Sequence, residues 1–186
     1  MKYTFVALGA LLLSSCLSSN SLINEEPYLY TLESKEGKKT FVKSHSTNTL
    51  SKNNLENLKK HLTDINPSDI DFSKKIVVNF INNNPSISIK NYQVPWDIFY
   101  GNMQKKLNSI EPCNHFWIIN KDVTDLYYYH GNKINWIIDK QNIIKKLFFN
   151  YDKLNGGFLI LKPNGEYFIK KGEYTKSDVL DIMRSF

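Results

Sequence analysis

Lys75-Ile76-Val77-Val78-Asn79-Phe80-Ile81 is a nearly continuous apolar run, the pattern of a strand covered on both faces. Nearer the carboxy terminus, Gly157-Phe158-Leu159-Ile160-Leu161 and Tyr167-Phe168-Ile169 flank Lys162-Pro163-Asn164-Gly165, a turn sequence that predicts a hairpin. His115-Phe116-Trp117-Ile118-Ile119 is a further strand candidate. Strands with two covered faces need helices on both sides, and the intervening segments supply them. Leu55, Leu58, Leu62 and Ile65 fall at helical spacing behind Ser51 or Asn53 as cap, and Asn66-Pro67 ends that helix. Pro95 stands where a second helix starts; Trp96, Phe99, Tyr100, Met103, Leu107 and Ile110 mark its buried face, and Pro112 closes it. Ile134, Ile137, Ile138, Ile144, Leu147 and Phe148 predict a third helix within residues 134–149. Thr175 or Ser177 caps a fourth, carrying Val179, Leu180, Ile182 and Met183.

Upstream, Tyr28-Leu29-Tyr30-Thr31-Leu32 and Thr40-Phe41-Val42 pair around Glu36-Gly37 as an extra hairpin, and residues 46–50 are polar. The order predicts an α/β domain: a mixed sheet flanked by helices, with an extra N-terminal hairpin. At 186 residues the chain holds one domain and a short extension. Its 41% hydrophobic content excludes a disordered chain, and two cysteines exclude a disulfide framework or a four-thiolate zinc site. The net charge of +6 favours anionic partners. The basic residues are scattered lysine doublets and Arg184 is the only arginine, which argues against nucleic-acid binding.

The element order, ending in a hairpin and a carboxy-terminal helix, resembles the thioredoxin-like fold over residues 51–186. Lys75-Ile76-Val77-Val78-Asn79-Phe80 resembles the strand before the active site of secreted thioredoxin-like proteins, and Phe158-Leu159-Ile160-Leu161 through Asn164-Gly165-Glu166 resembles the strand and hairpin after their cis-proline. The resemblance implies a Cys-x-x-Cys across Pro85-Ser86-Ile87-Ser88, with the two cysteines near Pro85 and Ser88, and a cis-proline near Asn155; none of these is the family residue. Disulfide exchange needs a thiolate and a resolving thiol, which serine cannot replace. The implied redox site is therefore vacated, and these five positions are its remnant.

The amino terminus opens with Met1-Lys2-Tyr3 and an apolar run from Thr4 to Leu13, the length of a secretory signal core and too short to span a bilayer. It ends in Leu13-Ser14-Ser15-Cys16, which resembles the lipobox of bacterial lipoproteins. That resemblance implies a signal peptide over residues 1–15, acylation of Cys16, a flexible tether to residue 26, and a domain over 27–186. It places the protein in the cell envelope, held to the membrane by its lipid anchor, since two or three acyl chains make a durable anchor. The partners expected are then the membrane and an envelope protein or peptide.

The mature chain keeps one more thiol, Cys113, two residues before His115; in a strand both share a face, which permits a single-cysteine thiol-disulfide oxidoreductase or peroxidase as the rival function. The alternative for Cys113 is a small buried residue entering a strand. His45, His61, His115 and His130 have no paired metal spacing, so no metal site is expected. Asp69/Asp71 and Asp122/Asp125 have the spacing to pair as acid and base or to bind calcium, but they sit in loops beside helix or strand starts, where aspartates ordinarily cap or turn. No nucleophile elbow, phosphate loop or dinucleotide fingerprint occurs, so no cofactor is expected; Gly156-Gly157 suits a bend into the strand. Trp96, Trp117, Trp136 and the run Tyr127-Tyr128-Tyr129, read as extended, serve either as a binding surface or as edge-strand packing.

Overall fold

Residues 22–34, 36–66, 68–85 and 93–186 are described by a computed structural model. Residues 1–15, expected to form a signal peptide, together with Cys16, Ser86, Ile87 and Ser88, lie outside the described residues. After a 3-10 turn at Leu22–Asn24, β1 (Leu29–Glu33) and β2 (Lys39–Lys43) form the expected hairpin. The polar stretch that follows forms β3 (His45–Thr49), an edge strand antiparallel to a strand near the carboxy terminus. Ser51 caps α1 (Lys52–Ile65) by accepting from the Asn54 N–H, and Leu55, Leu58 and Leu62 are buried along its stripe.

Next come β4 (Lys75–Ile81), α2 (Met103–Asn108), β5 (Cys113–Asn120), β6 (Ile137–Asp139), α3 (Ile143–Phe148), β7 (Gly156–Leu161), β8 (Glu166–Lys171) and α4 (Lys176–Ser185). The six-stranded sheet has the order β3-β8-β7-β4-β5-β6. β4, β5 and β6 run parallel, whereas β7 is antiparallel to β4 and β8 to β7. A central β4 between a parallel β5 and an antiparallel β7–β8 hairpin, closed by a terminal helix, is thioredoxin-like. The sheet alternates as a two-faced strand set must. Val77, Ile81, Phe158 and Ile160 pack with Leu107 and with Val179 and Ile182 of α4 on one side. Val78, Phe80, Ile118 and Leu159 pack with Leu58 and Leu62 of α1 and Ile144 of α3 on the other. Gly156 and Gly157 enter β7 where there is no space for a side chain: a Cβ would lie 2.0 Å from the carbonyl oxygen of Phe80 or of Lys170.

Three sequence expectations are corrected. The helix from Pro95 is broken into a 3-10 turn at Asp97–Phe99 and the short α2, because Gly101 takes φ +77° and Asn102 starts a new cap on Lys105 N–H. Tyr127-Tyr128-Tyr129 is not extended; it lies in a 3-10 turn at Leu126–Tyr129, started by Asp125 accepting from the Tyr127 N–H and ended by left-handed His130. The helix within residues 134–149 is a strand followed by α3. Asp139 divides them, its two carboxylate oxygens accepting from the N–H groups of Ile143 (2.9 Å) and Lys145 (3.0 Å), while Ile137 and Ile138 pair with β5.

Candidate functional site

β4 runs into Asn82 and Asn83, beside the loop holding Asn155. The Asn82 N–H donates to the Asn155 carbonyl at 2.9 Å. The Asn82 carboxamide donates to the carbonyls of Tyr151 (3.0 Å) and Leu154 (3.2 Å), and that of Asn83 to Leu154 (3.1 Å) and Asp152. Asn120, at the end of β5, donates to the Asn82 carbonyl at 2.8 Å. This is the end of the sheet where the resemblance places the vacated site, with Pro85 and Asn155 both half-buried. Carboxamides neither ionise nor attack, so these groups tie loops together and supply no redox chemistry.

Cys113 stands at the opposite end. It pairs with Lys75, the first residue of β4, roughly 23 Å from Asn82 at about 3.3 Å per residue. Its side chain is buried, and its Sγ is 3.8 Å from Asn108 Oδ1. Burial, and then the charge of Glu111, push its thiol up to about 11, against a smaller opposing pull from Lys75. At neutral pH it is therefore a thiol, the form that is neither nucleophile nor ligand.

His115 shares the Cys113 face of β5, as the i, i+2 spacing requires, but it is committed elsewhere. Tyr174 donates its hydroxyl to Asn79 Oδ1 at 2.8 Å, and Asn79 Nδ2 lies 2.7 Å from His115 Nε2. Asn79 is fully buried in the middle of β4. With its oxygen taken by Tyr174, its amide donates to His115, which fixes the ring proton on Nδ1. Loss of water around the ring holds His115 down at about 4. A neutral imidazole whose lone pair accepts from Asn79 has no basic nitrogen to offer Cys113. This Tyr174–Asn79–His115 chain was not foreseen from the sequence; its one signal was an asparagine in the middle of an apolar strand.

The other side of the same strand is open. β6 pairs only with residues 118–120, so among the described residues no strand lies beyond residues 113–117 of β5. A groove of about 730 Å³ follows this free half. On one face it is walled by Met103, Phe99 and Trp117, and on the other by Ile70, Phe116 and Ile137. Asn66, Asn102, Gln104, Asn114 and Asn135 supply carboxamides around it, with Asp69 and Lys133 as single charges of opposite sign. Such a lining suits an uncharged polar chain with intermittent apolar groups.

The remaining candidates have structural partners. Asp71 accepts from the N–H and hydroxyl of Ser73, Asp122 pairs with Lys121, and Asp125 caps its turn. His45 lies 3.0 Å from the Glu25 carbonyl and His130 2.9 Å from that of Val94. His61 and Asp139, both fully buried, meet at 2.9 Å and join α1 to the start of α3. Trp136 is buried and donates to the Tyr129 carbonyl, Trp96 stacks on Phe99, and Trp117 packs edge-on to Trp136. Tyr129 is buried too, leaving Tyr127 as the exposed member of its run, so the aromatics are mainly packing.

No protein-family model matches the chain, and no curated protein sequence matches it. Among solved structures, it is similar to the exposed lipoprotein thioredoxin of Streptococcus pneumoniae strain TIGR4, at 10% identity and a TM-score of 0.39 over 86% of this chain and 100% of that one. The reduced N-terminal domain of PilB from N. meningitidis aligns at 11% identity and 0.37, over 62% and 82% of the two chains. StoA from Bacillus subtilis aligns at 9% and 0.34, over 84% and 96%. The chain's own strand order and its two helical layers make it a thioredoxin-like α/β domain, with an edge strand and an N-terminal hairpin added.

Proposed function

We propose that this chain is a lipoprotein of the cell envelope, anchored through Cys16, whose thioredoxin-like domain binds a polypeptide partner without thiol chemistry. The observation that carries the binding role is the edge of β5 at residues 114–117, which lies in its groove with no strand beyond it among the described residues, whereas the N–H and carbonyl of Cys113 are already taken by the side chains of Asn108 and Gln104. A strand edge presents backbone donors and acceptors in the spacing of another extended chain. The carboxamides of Asn66 and Asn135 beside it extend that hydrogen bonding to a partner's backbone, while those of Asn102, Gln104 and Asn114 hold the groove's own walls. An extended segment of an envelope protein, uncharged and with apolar residues at alternate positions, fits this lining. The sequence Leu13-Ser14-Ser15-Cys16 supports the anchor. The buried, protonated Cys113 and the engaged His115 argue against the oxidoreductase or peroxidase reading.

The test is selection of displayed random peptides on the full chain, followed by amide hydrogen exchange with a selected peptide bound. Strand addition predicts slowed exchange within residues 114–117 and at least tenfold weaker binding by the groove-filling variant Asn135→Trp. Peptides that bind but protect residues 82–85 and 151–155 instead would move the site back to the vacated end.

A further inference from the structure

The N-terminal hairpin has one face held against the domain and one face bare. On the inner face, Tyr30 donates its hydroxyl to the Lys171 carbonyl at 3.1 Å and the Lys170 ammonium sits 4.9 Å from the Tyr28 ring centroid. Val42, on the same face, is buried, and Lys153 donates to the Glu33 carbonyl at the far end. The hairpin is thus a fixed platform. Its outer face carries the cross-strand pairs Leu29↔Lys43, Thr31↔Phe41 and Glu33↔Lys39. Phe41 is 64% exposed and Leu29 56%, and they are diagonal neighbours on that face. Exposed aromatic and aliphatic side chains beside lysines are the composition of a surface that rests in the headgroup region, where the apolar groups dip inward and the ammonium groups meet phosphates.

We infer that this outer face is a membrane-contact surface that seats the domain on an anionic bilayer. The inference rests on the acylation of Cys16 proposed above. Chain length favours the bilayer as occupant. Five residues separate Cys16 from Leu22, where the described chain begins, and the six steps between them, at about 3.4 Å each, reach no more than roughly 20 Å. The turn at Leu22–Asn24 then packs beside β3 and α4, and the hairpin follows five residues later. An anchor this short keeps the bare face close to the lipid surface, so two partly exposed apolar side chains suffice to orient a domain that the acyl chains already hold.

The experiment uses the acylated full-length chain reconstituted into vesicles of phosphatidylethanolamine and phosphatidylglycerol, three to one, with or without brominated acyl chains. Phe41→Trp places a reporter on the face, and Lys60→Trp on the exposed side of α1 serves as comparison. Brominated lipid should quench the added emission of Phe41→Trp at least twofold and leave that of Lys60→Trp unchanged. Adding Leu29→Ser to Phe41→Trp should reduce the quenching. The intact mass of the same sample reports acylation separately. An acylated Phe41→Trp chain whose added emission is unquenched overturns the contact surface and leaves the anchor standing; a chain with unmodified Cys16 overturns both.

Discussion

Replacing Asn79 by leucine should destabilise the domain from the centre of β4 by a measurable amount. The substitution keeps the branched shape and the number of heavy atoms, with a modest gain in volume, but removes both hydrogen bonds of the Tyr174–Asn79–His115 chain. The Tyr174 hydroxyl, wholly buried, is then left without an acceptor, a loss of about 1–3 kcal/mol. His115 loses its one donor from Asn79, at roughly 1 kcal/mol. Leucine recovers about 1 kcal/mol by burying more apolar surface, and the net destabilisation is about 1–3 kcal/mol. With a urea m value of ~2 kcal/mol/M for a domain of this size, the midpoint should fall by roughly 1 M with m unchanged. The sharper measurement is the cycle with Tyr174→Phe. That change alone deprives Asn79 of its donor, at about 1–2 kcal/mol, but in the double variant no hydroxyl is orphaned. The double variant should therefore be less destabilised than the sum of the singles by at least ~1 kcal/mol. Additive effects, or a neutral Asn79→Leu, would refute the chain. Nitrogen shifts of His115 give a second readout, with the proton on Nδ1 in the wild type.

Three further outcomes are expected. Because burial holds His115 at about 4 when folded, against about 6.5 unfolded, the unfolded state binds the extra proton between those values. Its contribution is therefore fully present above pH 6.5 and lost as the pH falls towards 4, by at most about 3 kcal/mol; urea melts of wild type and His115→Gln across pH 4–7 should differ in slope in that window. Alkylation of Cys113 in the folded chain should be slow at pH 7 and rise only well above pH 9, as its raised thiol requires, whereas a thiolate forming below about 8.5 would restore the oxidoreductase reading. Gly157→Ala should lose several kcal/mol, at least ~3, because its Cβ would meet the Lys170 carbonyl oxygen at 2.0 Å inside the β7–β8 ladder; a thermal melt within 3 °C of wild type would contradict that packing.

The covered strands were legible because their residues say one thing at every level. The run from Lys75 to Ile81 is apolar, short and bounded by polar doublets, and no helix or wet strand fits it. What escaped reading was decided by single side chains acting through the backbone. Asp139 starts α3 with two backbone hydrogen bonds, so a periodic apolar stretch that looks helical throughout becomes strand, turn and helix. Gly101 and Asn102 break the helix after Pro95 by a left-handed step and a fresh cap. β3 is polar because it lies at an edge, and its pairing to β8 is a long-range fact that local pattern does not carry. The site was half readable. Cys113 and His115 share a face as their spacing implies, but the reason they do not act together lies in Tyr174, far along the chain.

The strand order also decides how the domain answers to a pull. β3 lies at one edge of the six-stranded sheet, with the hairpin held beside β8 through Tyr30, and the unpaired part of β5 lies near the other edge. On the reading proposed above, tension between an anchor at Cys16 and a partner on β5 would load the sheet crosswise, along its inter-strand hydrogen bonds. Ladders loaded this way unzip sequentially, and the weakest member yields first. Here that member is β3, mostly exposed and paired on one side only. Excess tension across the sheet should therefore peel β3 while β7, β4 and β5 stay together, so that under the proposed anchoring β3 would act as a mechanical fuse.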